Sequence, residues 1–387
     1  MPESVTPAVT PAPIAVPEVD LEDLRDRLRR TRWPERETVD DWSQGIPLAY
    51  VQDLCETWAE EYDWRRCEAE LNRYEQLRFG AAGPSGAPLG LQVLHAPSPE
   101  PSAIPVVFTH GWPGSVVEFL DVVDALRDPA AHGGAAEDAF HVVCPSLPGY
   151  GFSDRPAETG WGVDHIADQW VALMAALGYE RFGAQGGDWG SAVTTRIGAQ
   201  HPDRCIGIHL NMVSAGPGSE PGEPTDAERA ALASLEHYRQ WDSGYSTQQA
   251  TRPQTVGYGL VDSPAAQAAW IMEKFWAWSD HQGHPEDSFR RERLLDNVMH
   301  YWIPGTGASS GRLYWESFRT FGRGDVALPS GMSIFPKEIF RPSRRWAERR
   351  FTDIRQWNEL DRGGHFAAFE RPDTFVDEVR SFFRLVR

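Results

Sequence analysis

The sequence predicts an α/β architecture: a mostly parallel sheet flanked by helices, with a helical cap and an N-terminal helical and meander extension. Three observations carry this. Short β-branched runs alternate with helical segments from Ile104 to Met212, the rhythm of parallel strands joined by crossover helices. That rhythm breaks after Val213 into Trp-rich helical sequence, and short strands resume at Met332. Ahead of it all lies a region with its own helical periodicity. The chain therefore divides into an extension over 1–95, a first core segment over 96–212, a helical cap over 213–321 and a second core segment over 322–387.

In chain order, residues 1–16 are rich in Pro, Ala, Thr and Val and read as a flexible tail with neither the basic nor the apolar region of a signal peptide. Asp20 reads as a helix N-cap with Asp23 in the first turn and Leu21, Leu24 and Leu28 as an apolar stripe ending before Trp33-Pro34. Leu54, Trp58, Tyr62, Leu71, Tyr74 and Leu77 recur at helical spacings, predicting a second helical stretch over 48–79. A Gly/Pro/Ser-rich turn over 81–89 leads into a strand over 90–96. Ile104 to Thr109 and Phe140 to Cys144 are strands, and Val163 to Leu177 is a helix with Ile166, Trp170, Val171 and Met174 on one face. Phe182 to Gln185 and Ile206 to Met212 are further strands. A Gly/Pro/Glu-rich connection over 214–224 opens the cap. Met332 to Phe335 and Ile354 to Trp357 resume the sheet, and Thr374 to Phe383 closes the chain with an amphipathic helix.

Composition limits the function classes. The chain has 387 residues, 41% of them hydrophobic and 11% aromatic, enough for a large core. A net charge of −19 argues against nucleic acid and anionic membranes as partners. No apolar run is long enough to span a bilayer. Cys55, Cys67, Cys144 and Cys205 lack metal-ligand spacing and read as buried thiols of a cytoplasmic protein. Of 37 basic residues only Lys274 and Lys337 are lysines, a sign of GC-rich coding.

Gly186-Gly187-Asp188-Trp189-Gly190 is the segment that carries chemistry. Small residues around one reactive side chain, between a strand and a helix, are the mark of a nucleophile elbow. Asp takes the place of the usual Ser. A carboxylate attacks saturated carbon and becomes an alkyl ester, which points to strained epoxides or alkyl halides. Hydrolysing that ester needs a base, and Gly363-Gly364-His365-Phe366 supplies His365 after the last strand. Glu338, in Phe335-Pro336-Lys337-Glu338, is the carboxylate to orient it. The order Asp, Glu, His is the nucleophile, acid, base order of α/β-hydrolases. His110-Gly111-Trp112-Pro113 follows a strand where that fold places its oxyanion loop, with the Trp112 and Trp189 N–H groups as the oxyanion hole.

Taken together, these segments resemble the microsomal-type epoxide hydrolases, α/β-hydrolases with an extended N-terminal region. The similarity runs from about Val16 to Phe383 and includes Val16-Pro17, Arg32-Trp33-Pro34, His110 to Ser115, Gly186 to Gly190, Phe335 to Glu338 and Gly363 to Glu370. The resemblance implies two lid tyrosines that hydrogen-bond and protonate the epoxide oxygen. Ser243-Gly244-Tyr245 matches the first and Arg312-Leu313-Tyr314 the second, with Tyr258 and Tyr301 as competitors. It implies a small-molecule epoxide as substrate, a vicinal diol as product, no metal or organic cofactor, and a homodimer. It also implies an extension that wraps the core and braces the cap. The hydrophobic anchor of animal relatives has no counterpart in the Pro/Ala tail.

Two rival readings remain at this stage. A haloalkane or haloacid dehalogenase shares the Asp and the His, and Trp189 stands where a halide donor would. A degenerate hydrolase acting as a binding protein would normally lose Asp188, Glu338 or His365, and all are present. Trp241, Tyr258, Trp270, Trp276, Trp278 and Trp315 read mainly as cap core, with a few suited to lining a pocket for a bulky aromatic or natural-product epoxide. Antibiotic biosynthesis and detoxification fit equally.

Overall fold

The computed structural model describes residues 8–218 and 222–387. Residues 1–7 of the expected tail and 219–221 of the expected connection lie outside the described residues. The first part of the chain contains β1 (Val9–Pro11), α1 (Glu18–Arg29), α2 (Leu48–Glu60), α3 (Trp64–Leu71), β2 (Glu75–Ala82) and β3 (Pro88–Ala96). Then follow β4 (Ile104–Thr109), α4 (Leu120–Arg127), β5 (Phe140–Pro145), α5 (Val163–Ala176), β6 (Phe182–Gly186), α6 (Asp188–Gln200) and β7 (Cys205–Leu210). Among the described residues between β7 and β8 the regular elements are helices: α7 (Asp226–His237), α8 (Gly244–Thr251), α9 (Pro253–Asp262), α10 (Pro264–Ala277), α11 (Arg291–Trp302) and α12 (Gly307–Ser317). The chain ends with β8 (Val326–Ile334), α13 (Arg344–Ala347), β9 (Phe351–Glu359), α14 (Ala367–Glu370) and α15 (Pro372–Phe383).

The strands form a nine-stranded sheet in the order β1-β2-β3-β5-β4-β6-β7-β8-β9. β1, β2, β3 and β5 pair antiparallel in turn, and every pairing from β5 through β4 to β9 is parallel. β4, β5 and β6 lie inside the sheet, and their apolar runs Val106 to Phe108, Val142 to Cys144 and Phe182 to Ala184 are buried, as a sheet covered on both faces requires. α15 closes one face with Phe375, Val376, Val379, Phe382 and Phe383 turned inward.

Three local expectations give way. Val9–Pro11 is not tail but an edge strand on Leu77 to Phe79, with Ile14 and Val16 buried just beyond it. The helix expected over 48–79 is two helices and a strand. The first helix stops at Glu60, and Asp63 caps the next by accepting from the Arg65 N–H at 2.9 Å. From Glu75 the pairing of β2 with β3 overrides the helical spacing of Tyr74 and Leu77, and Leu77, Phe79 and Ala81 alternate inward as a strand demands. Finally, Pro17 rather than Asp20 precedes α1, and Asp20 joins Glu18 in its first turn, facing the positive end of the helix dipole.

The first helices grip the helices inserted before β8. Asp296, fully buried on α11, receives Arg66 at 2.6 and 2.7 Å and the Tyr62 hydroxyl at 2.7 Å. Arg293 reaches Glu70 at 2.6 Å, and the Trp42 and Trp276 rings stack at 4.9 Å. Among the described residues no helix is long and apolar enough to cross a membrane.

Candidate active site

The parallel strands aim their carboxyl ends at one spot, where α/β folds place their ligands. β6 runs directly into the elbow. Asp188 has φ of 47°, the only non-glycine residue with positive φ among those described, a strained placement tolerated where it serves a site. The neighbouring glycines are enforced by space. A Cβ on Gly190 would collide with the Thr109 carbonyl, one on Gly186 with the Gly190 backbone, and one on Gly111 with the Asp188 side chain. The carboxylate is thereby pressed onto the loop after β4, where the Trp112 N–H donates to Asp188 Oδ1 at 2.8 Å. Trp189 lies in the first turn of α6, where a backbone N–H has no carbonyl one turn earlier to bind.

His110 and Pro113 hold this loop. Burial lowers the His110 pKa to about 4, so the ring is neutral. Its Nε2 accepts from the Leu147 N–H at 3.3 Å, which leaves Nδ1 to donate to the Gly111 carbonyl at 3.0 Å. The Pro113 carbonyl accepts from Asn297 at 2.8 Å and the Gly114 carbonyl from Tyr301 at 2.6 Å.

His365 Nε2 stands 3.4 Å from Asp188 Oδ2, and its Nδ1 meets Glu338 Oε1 at 2.7 Å. The Ile339 N–H, at 2.7 Å, also donates to that Glu338 oxygen. Burial opposes a charge on His365, yet the Glu338 and Asp188 carboxylates outweigh it and hold the imidazole pKa well above its ordinary value. The His365 loop is pinned from below. Glu370 accepts the Phe366 and Asp280 N–H groups at 3.1 and 2.8 Å, and burial raises its pKa to about 7. Between Asp188 and His365 lies a chamber of about 20 Å³, also lined by Glu118, room for a single water. Burial first, with the Asp188 charge adding to it, raises the Glu118 pKa to about 8.

The cap helices roof this floor with phenols. Tyr245 on α8 stacks on Trp112 at 4.8 Å, and Tyr314 on α12 stands edge-on to Trp189 at 4.8 Å; the two tyrosine rings are 5.8 Å apart. Burial, then neighbouring phenols and Asp188, push the Tyr245 pKa well above its ordinary value; burial, then Asp188, do the same for Tyr314. Both are therefore neutral donors. The competitors fall away: Tyr258 is exposed, and Tyr301 is spent on the Gly114 carbonyl. Sequence reasoning missed Tyr238, whose hydroxyl meets that of Tyr245 at 3.0 Å. Its place seven residues before Tyr245, two helical turns, was the available signal.

Two larger cavities meet at these phenols. One, of about 540 Å³, reaches Asp188 and is walled by Val213, Leu232, Leu235, Phe318, Phe321 and Phe340. The other, of about 920 Å³, is polar and aromatic and carries both lysines of the chain. Trp241, Trp270, Trp276 and Trp278, expected mainly in the cap core, line this second cavity. Tyr258 and Trp315 are exposed instead of packed. Among the described residues no cluster of three or more His, Cys, Asp or Glu is placed to hold a metal ion.

Comparison with known proteins agrees with this geometry. Residues 9–119 match the family model described as epoxide hydrolase N terminus, and residues 104–252 match that of the alpha/beta hydrolase fold. The chain is 52% identical to "Putative epoxide hydrolase" of Stigmatella aurantiaca, covering 98% of this chain and 86% of that one. It is 31% identical to epoxide hydrolase 1 of Sus scrofa, covering 98% and 89%. Among solved structures it is similar to the Aspergillus niger epoxide hydrolase, with a TM-score of 0.85, 30% identity and coverage of 99% and 97%. The chain thus has relatives over nearly its whole length, and it belongs to the epoxide hydrolase family of the α/β-hydrolase fold.

Proposed function

We propose that the protein converts an apolar epoxide and water into a vicinal diol through an alkyl ester on Asp188. The observation that carries this reading is the division of labour at the carboxylate. Oδ1 is held by the Trp112 N–H while Oδ2 faces the cavity beside His365. Oδ2 attacks a ring carbon, and Tyr245 and Tyr314 hold the epoxide oxygen and protonate it as the C–O bond breaks. Oδ1 is then the ester carbonyl oxygen. It already accepts from the Trp112 N–H, and with the Trp189 N–H as second donor this corner would stabilise the tetrahedral intermediate of hydrolysis.

Alkylation also prepares the base. It removes the Asp188 charge, one of the two that hold a proton on His365. The imidazole then gives up that proton more readily, to the phenolate left by ring opening, and as a neutral base activates a water against the ester, with Glu338 stabilising the imidazolium that forms. The apolar walls of the 540 Å³ cavity suit a bulky aromatic or natural-product epoxide. In this reading residues 1–95 act as a brace, 96–212 and 322–387 as the catalytic core and 213–321 as the lid. Buried, unpaired Cys55, Cys67, Cys144 and Cys205 suit a reducing cytoplasm, and light scattering tests the homodimer.

Intact-protein mass of His365→Gln after exposure to styrene oxide tests the mechanism. A gain equal to the whole epoxide, absent in Asp188→Asn, is the expected result. A gain of an alkyl group from a haloalkane, with none from the epoxide, would replace the reading with a dehalogenase.

A further inference from the structure

In a chain that uses arginine almost throughout, a lysine stands buried beside the proposed acid. Lys274 on α10 is 4% exposed. Its Nζ lies 4.8 Å from the ring centroid of Tyr245 and 5.5 Å from that of Trp278. Asp242 holds it in place, accepting from Lys274 Nζ with one carboxylate oxygen and from the Trp278 indole with the other, each at 2.5 Å. Glu273 approaches the same ammonium at 2.7 Å. Two anions and two aromatic rings surround one cation, an arrangement with no evident part in binding the substrate.

We propose that Lys274 is a positioning residue that acts through Tyr245, stabilising the negative charge that develops on the phenol as it protonates the epoxide oxygen. The inference rests on the epoxide hydrolase reading above. In the step concerned, the Asp188 carboxylate forms a bond to a ring carbon and the ring C–O bond breaks. The proton of Tyr245 moves to the departing oxygen, leaving a phenolate. A neutral phenol ring already attracts a cation over its face, and a phenolate attracts it far more. Lys274 therefore binds the transition state more tightly than the ground state, which is the condition for acceleration. The Tyr238 hydroxyl, 3.0 Å away, donates to the same phenolate oxygen. Over a full turnover the proton that His365 gives up after alkylation restores the Tyr245 phenol, and the proton that His365 then takes from water restores the imidazolium, so the sum is epoxide plus water to diol.

The effect should fall mainly on the half of the reaction in which Tyr245 gives up its proton. Lys274 lines the polar cavity beyond Tyr245 and is absent from the walls of both the substrate cavity and the water chamber. Glu338 and Trp278, which flank His365, line the same polar cavity, so unequal slowing of the two steps is the point at issue.

The test is a double-mutant cycle in single-turnover kinetics with styrene oxide, following alkylation and hydrolysis separately by rapid quench and intact mass. Lys274→Met and Lys274→Gln should each slow alkylation roughly tenfold or more and leave hydrolysis within about twofold. Lys274→Arg should recover most of the loss. In a Tyr245→Phe background, where Tyr314 carries the residual rate, Lys274→Met should change alkylation by less than about threefold. An equal penalty in both backgrounds, or equal slowing of the two steps, would make Lys274 a structural residue and overturn the inference. If Lys274→Met does not fold, the Gln and Arg variants decide by the same comparison. Failure of the reading beneath it has a different signature: His365→Gln traps no ester from styrene oxide, whatever stands at 274.

Discussion

Replacing Glu338 with Gln removes one charge from the triad while keeping an acceptor in place, and so measures what the charge itself does. Glu338 Oε1 already takes the Ile339 N–H and the His365 Nδ1 proton, both at 2.7 Å. The amide oxygen of Gln must occupy that corner, because its NH₂ would face two donors there. Its nitrogen then lies where Oε2 has no partner. The charge centres of carboxylate and imidazolium, roughly 4 Å apart, attract by about 4 kcal/mol at an effective dielectric constant of ~20. The base forms its imidazolium in the hydrolysis step, so the loss falls there, on the order of 10² to 10³ in rate. Alkylation, which uses the Asp188 carboxylate and the tyrosines, should change by less than about threefold. Rapid-quench single turnovers with styrene oxide, read by intact mass, should show the ester forming at the normal rate and then accumulating. Hydrolysis within about threefold of the native rate would refute the argument, because Glu338 would then only orient the ring.

Other consequences follow from the same contacts. Glu118 has a folded pKa of about 8, above its unfolded value of about 4.3. The folded state therefore keeps a proton that the unfolded chain releases, and stability falls as pH rises through this window, then levels off above 8. Glu118→Gln should melt higher than the native chain at pH 8, with the gap closing towards pH 5 in scanning calorimetry; a gap independent of pH would count against the buried acid. Asp296→Ala leaves Arg66 and buried Arg293 without their shared anion and should cost about 3 kcal/mol or more in urea denaturation. Gly190→Ala drives a methyl into the Thr109 carbonyl and should cost about 3 kcal/mol with loss of activity; native stability would mean that the elbow relaxes freely.

The sequence was most readable where chemistry and backbone restrict the residue type together. At Gly186 to Gly190 the turn needs glycine for space and the reaction needs a carboxylate, so two constraints fall on adjacent letters. His365 and Glu338 were legible because each follows a strand in the expected order. Where one local signal competes with a distant partner, the local signal misleads. Tyr74 and Leu77 keep helical spacing, yet from Glu75 onward β3 lies alongside and fixes the chain, Leu77 included, in a strand. Val326 to Ile334 shows the converse. Pro329 and Gly331 hid most of β8, which accommodates them through register shifts against β9. The groups behind Tyr245 were illegible for a different reason. Tyr238 and Asp242 share one short helical element just before α8, but Lys274 stands on α10, and nothing along the chain says that it converges with them on one phenol.

Under the mechanism and the Lys274 role proposed above, that convergence lets a carboxylate elbow run two opposite steps in one pocket. The first step needs a nucleophilic anion and an acid above it; the second needs a neutral base and a stabilised oxyanion. A single negative charge, moved rather than created, meets both demands. In the resting site it lies on Asp188, divided between the Trp112 N–H and a protonated His365. Ring opening shifts it upward to Tyr245, where Tyr238 and Lys274 await it. Its departure weakens the hold on the His365 proton and readies the base. Ester hydrolysis brings the charge back, first onto Oδ1 in the oxyanion hole and then onto the free carboxylate. An elbow serine, neutral at rest, would give His365 no anion to lose, so its base could not be switched by the chemistry itself. The aspartate therefore supplies the attacking atom and also the timing of the second step.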